Sequence, residues 1–194
     1  MFWRWPPLLT FAAMRKLSMA ELNRKSVQEF RQSEKQPIVV VLENIRSMHN
    51  VGSVFRTADA FLISKVILTG YTPTPPHRDI EKTALGATDS VSWIHEKDTL
   101  TAIRQLKAEG YRLLAVEQVE GSMPLNKFQE NKEQPLAVIF GNEVTGVSDE
   151  VLTECNGSIE IPQAGMKHSL NIAVAAGIVL WELVRSRINT STHQ

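Results

Sequence analysis

Beyond Pro37 the chain carries five apolar runs of strand length: IVVVL (38–42), KVILTG (65–70), YRLLAVE (111–117), LAVIFG (136–141) and SIEIP (158–162). Stretches of helical character separate them at about 52–62, 97–109 and 148–155, and a long one follows at 169–187. Buried strands that alternate with helices predict an α/β fold: a mostly parallel sheet with helices on both faces. VSWIH (91–95) reads as a short extra strand and TPTPPHRD (72–79) as a proline-rich loop. Before Pro37, Met19, Leu22, Val27 and Phe30 recur among polar residues and predict a helix over about 18–34.

In open parallel sheets, ligands bind beyond the carboxyl ends of the strands. That rule directs attention to the loops at 43–52, 70–90, 117–124, 141–148 and 162–169. Three of these carry candidate chemistry. GNEVTGVS (141–148) lies between a strand and a helix, with nearly the spacing of a phosphate-binding loop. Val147 stands where such a loop needs lysine, and the acid Glu143 repels phosphate. A nucleoside triphosphate is therefore disfavoured, and a positively charged ligand with adenosine-like donors fits better. Ser148 is a good helix N-cap, with Asp149 and Glu150 complementing the helix dipole.

The stretch ENIRSMHNVGSVFRTADAF (43–61) contains Asn50, Gly52 and Arg56. Asn50 is suited to capping the following helix, which places Arg56 in its first two turns. A cation there opposes the helix dipole and calls for an anionic partner such as a phosphate. The plainer alternative is a capping asparagine and a surface arginine. In IPQAGMKHSLNIAVAAGIVLWE (161–182), Ser169 is placed to cap a helix that is apolar almost all round, hence buried. Asn171 lies at the mouth of that helix, either to hold a catalytic group or substrate or simply as a second cap residue.

Composition narrows the picture. The chain has 194 residues, enough for one domain with a sizeable core and a short extension. Its formal net charge is zero, so any nucleic-acid surface must be a local patch. Residues 1–36 supply one, with seven Lys or Arg against three Glu, although a solvated helix face has the same composition. A single cysteine, Cys155, excludes an internal disulfide and fits a reducing, cytoplasmic compartment. The longest apolar run, Ile172–Trp181, is too short to span a bilayer. Met14 opens a segment that reads like a natural start, which makes residues 1–13 an upstream extension. The five histidines show no metal-ligand spacing.

Taken together and in order, NVGSVFR, IFGNEVTGVS and IPQAGMKHSLNIAVA resemble the three motifs of the SpoU, or TrmH-like, branch of the SPOUT methyltransferases. KTALGATDSV (82–91) is similar to the segment between the family's motifs, and the resemblance spans residues 38–187. Gln163 and Ala173 depart from the family's more common methionine and small hydroxyl residue.

The resemblance implies an S-adenosylmethionine-dependent enzyme that methylates a ribose 2'-hydroxyl of tRNA or rRNA. It also implies a C-terminal trefoil knot and a homodimer. Gly141, Ile161 and Leu170 match the positions of backbone contacts to the cofactor. Arg56 matches the family's proposed base. An arginine is almost never neutral, so the expected role is to bind a phosphate beside the target ribose and favour the developing alkoxide. Asn50, Glu143, Ser169 and Asn171 would position Arg56 and the ribose. A catalytically silent RNA-binding module of the same fold is the alternative. The expected organisation is a basic, partly helical extension at 1–36, the methyltransferase domain at 37–187, and a tail at 188–194.

Overall fold

The computed structural model describes residues 15–18, 21–22, 24–129, 131–166 and 169–191, with the backbone alone beyond Arg185. The expected upstream extension at 1–13 and residues 192–194 of the expected tail lie outside the described residues.

After a short helix α1 (Val27–Gln32), the chain alternates strands and helices. β1 (Gln36–Glu43) leads to α2 (Met48–Ala60) and β2 (Ile63–Thr69). Two short helices follow, α3 (Arg78–Ala84) and α4 (Ala87–Ser90), then β3 (Trp93–Glu96), α5 (Thr99–Ala108) and β4 (Arg112–Val116). β5 (Met123–Pro124), β6 (Leu136–Phe140), α6 (Asp149–Glu154), β7 (Gly157–Glu160) and α7 (Ile172–Ser191) complete it. The seven strands form one sheet in the order β3-β2-β1-β6-β4-β7-β5, and every pairing is parallel.

The central strands are buried on both faces. On β1, Ile38, Val40 and Leu42 point into a core shared with Val51, Phe55 and Leu180 of α2 and α7. Val39 and Val41 point the opposite way, onto Ile103 of α5 and Val151 of α6. This is the period of two expected of a strand, with both sides apolar because helices cover both faces.

Several local expectations are corrected. The helix expected over about 18–34 is helical only at Val27–Gln32 among the described residues. A capping box starts it, with the Ser26 and Glu29 side chains bonding each other's backbone N–H. Its Phe30 is 5% exposed and belongs to the main core, so α1 is packed onto the domain. α7 reaches Ser191, so the expected tail begins as helix. α7 is not buried all round: Val174, Ile178 and Trp181 are 51%, 39% and 50% exposed along one stripe.

Candidate active site

The carboxyl ends of β1, β4, β6 and β7 lie side by side because β6 inserts between β1 and β4. The loops that leave β4, β6 and β7 line a cleft of about 500 Å³. Gly141, Ile161 and Leu170 all line it, together with Glu143, Ser169 and Asn171. These residues come from two segments that the sequence separates by a strand and a helix.

The Gly141–Ser148 loop is a tight turn closed on itself. Asn142 N–H donates to the Gly146 carbonyl at 3.0 Å, and Gly146 N–H returns the bond at 2.9 Å. A Cβ at Gly141 would overlap the Gly146 and Val147 backbone. Glycine is therefore required by the loop's own closure. Two strand-end carboxylates pin the loop from outside. Glu117, after β4, accepts from Val147 N–H at 3.1 Å, and Glu43, ending β1, accepts from Ser148 N–H at 3.1 Å and its Oγ at 2.7 Å. Ser148 stands at the N-cap position of α6 as expected, but its hydroxyl serves Glu43 and makes no cap bond.

Glu143 explains why an acid sits in this loop. Its carboxylate reaches the N-terminus of α2 and accepts from Arg46 N–H (3.0 Å), Ser47 N–H (3.2 Å) and Asn50 Nδ2 (3.0 Å). A negative charge at a helix N-terminus satisfies otherwise unpaired donors and complements the dipole. Partial burial pushes this carboxyl up, but the Arg46, Asn50 and Ser47 donors outweigh it and hold it below the ordinary glutamate range.

Asn50 is not the cap of α2, because Ser47 is: its Oγ accepts from Asn50 N–H at 3.3 Å. Asn50 sits inside the first turn and uses its side chain as a bridge. Its Nδ2 donates to Glu143 and its Oδ1 accepts from Asn171 Nδ2 at 3.1 Å. Asn171 Oδ1 in turn accepts from Ala173 N–H at 2.9 Å, so Asn171, rather than Ser169, caps α7. Ser169 is exposed on the cleft wall, two residues before the cap Asn171. The row Asn171–Asn50–Glu143 thus ties together the three segments that carry the motifs.

Arg56 stands apart from this row. It is the ninth residue of α2, not in its first turns, so the dipole argument for an anion partner does not apply. The anion at the α2 N-terminus is the Glu143 carboxylate. Arg56 is exposed and lines a second cavity of about 520 Å³ between α2, α3 and α7, with Ser53, Phe61, Lys82, Thr83 and Gly177. Among the described residues no hydrogen bond joins Arg56 to Asn50, Glu143, Ser169 or Asn171.

Glu43, Glu117 and Asn142 are not among the candidate site positions that the sequence singles out. The first two had a usable signal: an acid at the carboxyl end of an otherwise apolar strand. Asn142, only 8% exposed, had none, because its partners Asn44 and Tyr71 come from other loops.

The chain is similar to known RNA 2'-O-methyltransferases. A tRNA (guanosine(18)-2'-O)-methyltransferase of Thermus thermophilus is 32% identical over 179 residues, covering 89% of this chain and 87% of its own. A 23S rRNA (guanosine-2'-O-)-methyltransferase of Vibrio parahaemolyticus is 29% identical over 168 residues, covering 87% of this chain and 67% of its own. The AdoMet-bound rRNA methyltransferase from Sinorhizobium meliloti superposes with a TM-score of 0.73 at 31% identity. That match covers 81% of this chain, which spans 60% of that structure's length. Residues 37–181 match the SpoU rRNA Methylase family from β1 into α7, and the chain belongs to that family.

Proposed function

We infer that this chain is an S-adenosylmethionine-dependent methyltransferase acting on a ribose 2'-hydroxyl of tRNA or rRNA. The observation that carries this is the row Asn171–Asn50–Glu143 bordering a cleft lined by Gly141, Ile161 and Leu170. The cleft volume is within the range of small-molecule sites. Glu117, Glu143 and Glu160 line it, and no lysine or arginine does among the described residues. That lining suits a sulfonium cation and opposes a triphosphate.

S-adenosylmethionine, when bound, supplies an already activated methyl group. The protein's tasks are then to align the 2'-hydroxyl and favour loss of its proton. Gly141, Ile161 and Leu170 would hold the cofactor through their backbone. Asn50, Glu143, Ser169 and Asn171 would shape the ribose side of the cleft. Arg56 would grip an RNA phosphate and favour the developing alkoxide.

Because Arg56 lies off the cleft within one protomer, a homodimer is part of the proposal. The uncovered Val174–Ile178–Trp181 stripe of α7 borders the cavity that holds Arg56, and a second copy is its proposed occupant. Residues that follow β7 and residues of the Gly141–Ser148 loop line the same cleft, and a trefoil knot at this place is part of the proposal. We further propose that it acts in the cytoplasm, in keeping with a tRNA or rRNA substrate.

The test combines calorimetry of S-adenosylmethionine binding with transfer of labelled methyl to unmodified tRNA and rRNA, read by nucleoside mass spectrometry. Binding with 2'-O-methyl formation is expected. Cofactor binding without transfer, or no binding at all, indicates a silent RNA-binding module.

A further inference from the structure

Tyr71, the first residue of the loop after β2 and its Gly70 turn, is 62% exposed, yet it is fixed at both ends. Its hydroxyl oxygen accepts from Asn142 Nδ2 at 2.8 Å, and its backbone N–H donates to Asn44 Oδ1 at 3.2 Å. Asn142 is saturated: Nδ2 also donates to the Asn44 carbonyl at 2.7 Å, and Oδ1 accepts from Val144 and Thr145 N–H. The next residue, Thr72, is 2% exposed and bonds the Leu42 carbonyl and Ile45 N–H through its hydroxyl. The aromatic ring is therefore held rigid, with its surface in solvent.

Position gives this ring its meaning. Asn142 lies between Gly141 and Glu143, so the phenol is tethered directly to the loop that carries the candidate site. Tyr71 is not among the residues lining the cofactor cleft, so the cofactor is not what covers it. Exposed Arg46 lies on the loop after β1, which holds Tyr71 through Asn44, and exposed Arg78 opens α3 at the end of the Tyr71 loop. A preorganised aromatic surface with cations nearby suits an unstacked nucleobase whose flanking phosphates meet the cations.

We propose that Tyr71 is a stacking platform for an unpaired base of the RNA substrate beside the methylated ribose. This rests on the RNA methyltransferase function above and names the form of RNA that the site accepts: a segment with its bases splayed out of a helix. The phenol is a binding and positioning group and takes no part in the chemical step.

The probe is a single-stranded oligoribonucleotide carrying one 2-aminopurine, whose fluorescence is quenched by stacking, titrated with the full chain. Cofactor affinity and methyl transfer to tRNA and rRNA are measured alongside. The wild type and Tyr71→Phe should quench. Tyr71→Ala and Tyr71→Leu should not, and should bind RNA roughly 5- to 100-fold more weakly, with cofactor affinity unchanged. Leu keeps most of the apolar volume, so loss of stacking is separated from loss of packing. Equal quenching by wild type and Tyr71→Leu overturns the proposal, as does absence of quenching by wild type. A loss in Tyr71→Phe as large as in Tyr71→Ala also overturns it, because the tether to Asn142 would then be the cause. A change of oligomeric state in Tyr71→Leu overturns it in favour of a protein contact. A wild type that neither binds S-adenosylmethionine nor methylates RNA sinks the proposed function itself, whereas active wild type with equally active Tyr71→Leu sinks only this inference.

Discussion

Asn50 and Glu143 are 93 residues apart in the chain, and their side chains meet at 3.0 Å where the loop after β6 crosses the start of α2. The contact makes an acid that looks misplaced in a glycine-bounded loop into the anionic cap of another helix.

Glu143→Gln should weaken that junction. An amide keeps one acceptor oxygen but turns an NH₂ toward donors that the carboxylate now accepts. Glu143 is largely exposed, so water rescues part of the loss, and a cost of about 1 kcal/mol is expected at neutral pH. The carboxyl is held below its ordinary value of 4.5 in the folded state. Its contribution is therefore fully present above that value and is lost as pH falls through the lower folded value. Denaturant unfolding of wild type and variant should differ at neutral pH and converge in acid. A constant difference across that range would assign the effect to packing.

Gly141→Ala should disturb the loop before it touches any ligand. The added Cβ overlaps the Gly146 and Val147 backbone, which the loop cannot yield without breaking its paired Asn142–Gly146 bonds. Such overpacking costs about 1–3 kcal/mol. S-adenosylmethionine affinity, by calorimetry, should fall with it. Wild-type affinity in this variant would mean that the loop is not part of the cofactor site.

Arg56→Ala should lose methyl transfer while keeping cofactor affinity, since Arg56 lines the α2–α7 cavity and not the cleft. Loss of a charged transition-state contact costs about 10²–10³ in rate. Arg56→Lys should also fail, because an ammonium does not reproduce a planar fork on a phosphate. Single-turnover transfer to RNA measures both. Near wild-type transfer by Arg56→Ala removes the residue from catalysis. Loss of the dimer in that variant would give it a structural role.

The basic N-terminal segment and α1 should separate experimentally. Deleting residues 1–24 keeps the Ser26 cap and Phe30, and should weaken RNA binding and flatten its salt dependence as fewer phosphates are neutralised. Phe30→Ala should instead lower stability by about 3 kcal/mol with the salt slope unchanged. An unchanged slope in the deletion returns that segment to a plain solvated surface.

Local pattern determined much of this protein. The apolar runs at 38–42, 65–70, 111–117, 136–141 and 158–162 are strands, and each loop singled out beyond them borders the site or supports it. Those features are legible because burial on two faces and the need for glycine at a closed turn act on neighbouring residues. Tertiary structure decided which groups meet. β6 inserts between β1 and β4, and that order brings Glu143 to α2, Glu117 to Val147 and Asn171 to Asn50. It also moved Arg56 off the cleft and left one stripe of α7 uncovered. Strand order leaves no periodic trace in a sequence, because it arises from contacts between segments far apart along the chain, such as Ile38 beside Leu136.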